Sequence, residues 1–167
     1  MKVGIAARDR LQAAIEARRQ GRDDEARALL VGLVAEYPDD AQVNLQCAWI
    51  HDKLGLEAEA VPFYEAALRL GLGDEDLPDA LLGLGSTYRA LGRYQESLAT
   101  LDRAVAECPD DLSLRVFRAL TLYNVGRSKE SCESLLSLLV ETTNAEDISR
   151  YREALAEYAA DLDRIWP

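Results

Sequence analysis

Few side chains in this chain could do covalent chemistry, and they are scattered. His51, the single histidine, is followed by Asp52, a pairing that could act as a general base or a ligand. No partner motif accompanies it, so a ring packed between helices is the preferred account. Cys47, Cys108 and Cys132 are far apart, odd in number and outside any CxxC or Cys/His cluster, which argues against a disulfide framework or a zinc site. Cys47 falls on the packed side of a helix, as a small core residue does. The 30 carboxylates are spread as on a solvated acidic surface, and glycine-rich phosphate loops and HExxH-like motifs are missing. An enzyme is therefore not expected, and neither is a metal or a cofactor. Trp49 points toward binding instead, because tryptophan concentrates at interface hot spots.

Charge and composition narrow the partners. A net charge of −11 repels phosphate backbones and anionic headgroups, so neither nucleic acid nor membrane is an expected partner. Residues 1–10 lack the long apolar core of a signal peptide, and no apolar run is long enough to span a bilayer. A cytoplasmic location is the expectation. Hydrophobic residues make up 49% of the 167, yet only 7% are aromatic. That balance favours helices packed through small residues, an all-α fold, over a β-rich one.

The elements that must position these side chains are marked by glycine. Gly21, Gly55, Gly92 and Gly126 are separated by 34, 37 and 34 residues. Around Gly92, large apolar residues recur at helical spacing on both sides: Leu81, Leu84, Tyr88 and Leu91 before it, then Tyr94, Leu98, Leu101 and Val105. Glycine readily takes the backbone angles that end a helix, so each unit reads as a helical hairpin. Seven residues before the glycines stand Ala14, Ala48, Gly85 and Ala119; five after stand Ala26, Ala60, Ser97 and Ser131. All are small, as two helices need where their backbones come closest.

The units run over about residues 7–40, 41–77, 78–111 and 112–145, in a single domain covering 1–167. Pro38 and Pro109 each precede two aspartates, a helix stop followed by a cap for the next. Thr143-Asn144-Ala145-Glu146 resembles a capping box, opening one amphipathic helix over residues 146–165 that closes the end of the array. Nine helices are expected in total.

The pattern Leu81-x-x-Leu84-Gly85-x-x-Tyr88, Gly92-x-Tyr94, Ser97-x-x-x-Leu101, Ala104 and Pro109 resembles a tetratricopeptide repeat (TPR), and the resemblance covers nearly the whole chain. It is similar to a small stand-alone bacterial member of that family; the preference for arginine over lysine would suit a GC-rich genome. The resemblance implies a right-handed α-α superhelix of four hairpins plus a capping helix. It also implies a concave groove lined by the first helix of each unit. Aligned on the glycines, that face holds Leu11, Ile15 and Arg18, then Leu45, Gln46, Trp49, Asp52 and Lys53. Leu82, Ser86 and Arg89 follow from the third unit, and Val116, Leu120 and Tyr123 from the fourth. Gln42, Asp79, Ser113 and Phe117 extend the same face.

The function so implied is a non-catalytic protein–protein interaction scaffold, holding a protein or peptide by apolar anchors. An alternative is a homodimer formed through the groove or through the terminal helix with Tyr158, Ile165 and Trp166. Family members that bind chaperone tails clamp a terminal carboxylate with Lys, Asn and Arg. Here Leu11, Ile15, Gln46, Asp79 and Gly83 occupy those places, and Asp79 repels a carboxylate. A receptor of that type is not expected.

Overall fold

A computed structural model describes residues 5–165. Among them the chain is all helical, with ten helices. Contacts divide it into two compact units, Met1–Arg93 and Tyr94–Pro167. The first unit contains α1 (Ile5–Arg19), α2 (Asp23–Glu36), α3 (Ala41–Lys53), α4 (Glu57–Leu70) and α5 (Leu77–Ala90). The second contains α6 (Tyr94–Glu107), α7 (Leu112–Asn124), α8 (Ser128–Thr142), α9 (Glu146–Ser149) and α10 (Arg152–Ala160).

Each marker glycine ends a helix in the left-handed region, with φ of 74° at Gly21, 71° at Gly55, 74° at Gly92 and 83° at Gly126. The same pair of hydrogen bonds recurs at all four. The glycine N–H reaches back three residues, and the next N–H donates to the carbonyl five residues before it: Arg22 to Ala17, Leu56 to His51, Arg93 to Tyr88 and Arg127 to Leu122. These bonds satisfy carbonyls that a helix end would otherwise leave unpaired. Asp40 and Asp111, after the two predicted stops, cap α3 and α7 by accepting from the backbone N–H of Val43 and Ser113.

In the first unit α1 packs on α2, α2 on α3, α3 on α4 and α4 on α5, with α3 also touching α1 and α5. Its core has two clusters that share α3. Val43, Cys47 and Ile50 join Ala14, Ala26, Leu30 and Leu33. Leu45 and Ala48 face the other way and join Ala60, Tyr64, Ala80 and Leu84. In the second unit α6 packs on α7, α7 on α8 and α8 on α10. The small residues at the crossings are buried, and the two serines among them find partners. Ser97 Oγ lies 2.9 Å from Thr121 Oγ1, and Ser131 Oγ donates to Ala119 O at 2.6 Å.

The carboxy-terminal stretch differs from the expected single helix. It breaks into α9 and α10, which brings the helix count to ten, and it is no longer helical at Asp161. Thr143 is not the N-cap of α9: Ala145 is, without a side-chain bond, and Thr143 Oγ1 accepts from Ala145 N instead. Arg152 stands directly after the break. Its guanidinium donates to Val140 O and Thr143 O at the end of α8, satisfying terminal carbonyls that a helix continuing straight through Arg150 and Tyr151 would leave open. Beyond α10 the chain is held by Lys129, which pairs with Asp161 and Asp163. Trp166 lies outside the described residues.

Candidate functional site

The face expected to line a groove is carried in the first unit by α1, α3 and α5. There Arg18, Trp49, Asp52, Lys53, Tyr64, Asp79, Leu82 and Gly83 surround an open pocket of about 680 Å³. Five expected site residues, Arg18, Trp49, Asp52, Lys53 and Leu82, thus come together, with Asp79 beside them. Gln46 is buried beneath and accepts from Arg18 Nη2 at 3.1 Å. That bond and the Trp49 ring, whose centroid lies 5.1 Å from Arg18 Cζ, hold the guanidinium in place. Arg18 Nε is sealed from solvent without a partner, and burial, followed by the neighbouring Arg19, holds Arg18 below its ordinary pKa.

Asp52 is set by two hydroxyls. Tyr64 donates to Oδ2 at 2.9 Å and Thr87 approaches Oδ1 at 3.1 Å. Burial, then the charge of Asp52, pushes the Tyr64 hydroxyl well above the usual tyrosine range, so it stays a donor. Tyr64 reaches the pocket from α4, the second helix of its hairpin, whereas the expected groove drew on first helices alone. It can do so because Gly83 has no side chain: an ideal Cβ there would lie 2.6 Å from Tyr64 Cζ. A glycine inside an otherwise good helix was the available signal.

The remaining expected residues separate. Leu45 is a correction: it is fully buried, in one core cluster with Tyr64 of α4 and Leu84 of α5, and so has no surface to offer a partner. Leu11 packs against the first core cluster. Ile15, Ser86 and Arg89 are half-buried and do not line the pocket. Val116, Leu120 and Tyr123 form an exposed stripe on α7, in the second unit, with Tyr123 66% exposed.

His51 is packed. It is 2% exposed, its ring lies 5.1 Å from that of Phe63, and it is absent from the pocket lining. Both nitrogens are occupied. Arg27 Nε donates to Nε2 at 3.2 Å, so the proton sits on Nδ1, which donates to Cys47 O at 2.7 Å. Neighbouring Cys47 is buried, which pushes its thiol up to about 12. Among the described residues no group of three or more His, Cys, Asp or Glu could hold a metal ion. No helix is long and apolar enough to cross a membrane.

Known proteins share this framework. Superkiller protein 3 of Saccharomyces cerevisiae is 29% identical over 90 residues, which is 54% of this chain but 6% of that protein. The chain therefore corresponds to a small fraction of the curated relative's length. Among solved structures, YrrB, described as a TPR protein with an unusual peptide-binding site, superposes with a TM-score of 0.71 at 21% identity, over 93% of this chain and 77% of that one. MamA 41-end from Desulfovibrio magneticus RS-1 gives 0.73 at 18% identity, over 95% and 92%. At such identity the likeness is one of fold. A family model described as "Tetratrico peptide repeat" matches residues 41–162, and a second, "Tetratricopeptide repeat", matches residues 7–40. With the glycine-closed hairpins repeating through both matched regions, the chain belongs to the tetratricopeptide repeat family.

Proposed function

We propose that this chain is a single-domain, non-catalytic interaction scaffold that docks a protein or peptide segment on the face of α1, α3 and α5. The observation that carries the reading is the open pocket walled by Trp49 and Leu82, with polar groups held by neighbours at its edge. Grooves of this make-up bury an anchor side chain while oriented polar groups fix register. The peptide-binding description of YrrB supports it as a fold-level analogy.

A peptide display library panned against the full chain tests this. Selected binders are expected to lose about tenfold or more in affinity to Trp49→Ala, measured at a temperature where circular dichroism shows the variant still folded. Binders indifferent to that substitution place docking elsewhere. A second reading, self-association, is favoured by the exposed Tyr158 and Ile165 near the carboxy terminus. Sedimentation at micromolar concentration decides it, because a strict monomer excludes the dimer.

A further inference from the structure

The pocket's charges are not paired with one another. Arg18, Lys53, Asp52 and Asp79 line it, and both cations are already engaged. Lys53 Nζ donates to Asp23 Oδ1 at 2.7 Å and to Arg18 O at 3.1 Å. Arg18 is spread over Trp49 and bonded to Gln46, and its remaining buried nitrogen, Nε, is closed to solvent. The anions are not matched in the same way. Asp52 accepts from the Tyr64 hydroxyl, lies beside that of Thr87, whose one proton is nearer Gly83 O at 2.7 Å, and meets no cation. Asp79, exposed in the first turn of α5, has no ion-pair partner among the described residues. Lys53 is thus matched by Asp23, outside the lining, which among the lining residues leaves Asp52 and Asp79 against Arg18, in a chain of net charge −11.

We propose that this pocket takes a lysine or arginine side chain of the docked segment, its aliphatic stem along Trp49 and Leu82 and its charge against Asp52 and Asp79. The inference rests on the docking reading above and specifies the partner's chemistry. Long basic side chains suit such a wall, since the stem covers apolar surface while the head stays at the polar rim. Asp52 is pre-oriented by Tyr64 and Thr87, so a charge-assisted bond to it requires little further ordering. A carboxylate-bearing segment meets the opposite situation: two aspartates repel it, Lys53 is already paired with Asp23, and Arg18 is bonded to Gln46 and held against Trp49.

The test uses the full chain and short blocked peptides identical except at the centre, where lysine, glutamate or norleucine stands between leucines. In calorimetry at low salt, the lysine peptide is expected to bind about fivefold or more tightly than either of the others. That advantage shrinks at high salt and in Asp79→Asn, a same-sized change at an exposed position. Equal or tighter binding of the glutamate peptide overturns the proposal, as does a lysine preference that survives Asp79→Asn. If all three bind alike and Trp49→Ala abolishes them, the docking reading stands and the basic anchor falls. If none binds, both fall.

Discussion

The second and fourth hairpins share one frame and differ in what their first helices leave exposed. Counted from their closing glycines, Leu45 and Val116 occupy the same place, as do Gln46 and Phe117, Trp49 and Leu120, and Asp52 and Tyr123. On α3 the first of these is fully buried and the others surround or support a polar-edged pocket; on α7 Val116 is 37% exposed and Tyr123 stands clear. The difference lies in what each helix meets. α3 packs on α1, α2, α4 and α5 of its own unit, whereas α7 packs on α6 and α8 of its own. A residue's place in the repeat sets its direction; its neighbours decide whether that direction is core or surface.

The sharpest way to break this comparison is a matched truncation. Leu45→Ala should cost about 2–5 kcal/mol of stability, as buried leucines do, and Val116→Ala within about 0.5 kcal/mol, as exposed positions do. Urea unfolding followed by circular dichroism reads both. Similar losses would mean that the repeat position alone sets burial.

A smaller effect is expected at Gly83. Alanine usually improves a helix by up to about 1 kcal/mol over glycine, and Gly32→Ala, in α2 with only Arg10 Nη2 nearby at 3.8 Å, should do so. Gly83→Ala should instead destabilise by about 1–2 kcal/mol, because Tyr64 is in its way and is itself buried. It should also weaken peptide binding, since the Tyr64 bond to Asp52 is displaced. Gain of stability at both glycines would remove the close approach from the account.

The smallest effect concerns a feature that the two ends of the array share. Arg10 pairs in bidentate fashion with Glu36, and Arg115 with Glu141. Each arginine lies eleven residues before its glycine and each glutamate fifteen after. The Arg115 bond holds Glu141 below its ordinary pKa, so the pair's contribution is present above the unfolded glutamate value, about 4.3, and is lost as pH falls through the lower folded value. Exposure and salt keep that contribution slight. Arg115→Ala should lower the melting temperature by a degree or so at pH 7, and the gap should close in acid or in concentrated salt. A gap that persists at pH 3 would show that the arginine acts through packing.

Much of the fold was legible in the chain because its determinants are local. A left-handed backbone angle belongs to glycine wherever it sits, and Gly21, Gly55, Gly92 and Gly126 fixed four helix ends. Small residues at Ala48, Ala60, Ala119 and Ser131 marked the crossings for a similar reason: no larger side chain fits between close backbones. The Arg10–Glu36 and Arg115–Glu141 pairs stand at the same offsets from those glycines, but only the folded structure showed that they meet.

Other features depended on partners distant in sequence. The burial of Leu45, the reach of Tyr64 over Gly83 and the stacking of Arg18 on Trp49 each need a second or third helix in place before they exist. The break between α9 and α10 is accompanied by Arg152 reaching back to carbonyls at the end of α8, a contact that helical periodicity cannot register. By itself the sequence determined where helices end and which faces meet, since those follow from backbone angles and side-chain size along the chain. Which of those faces closed into core and which remained a pocket was decided only by tertiary packing, because solvent exclusion is a property of neighbours, not of a residue.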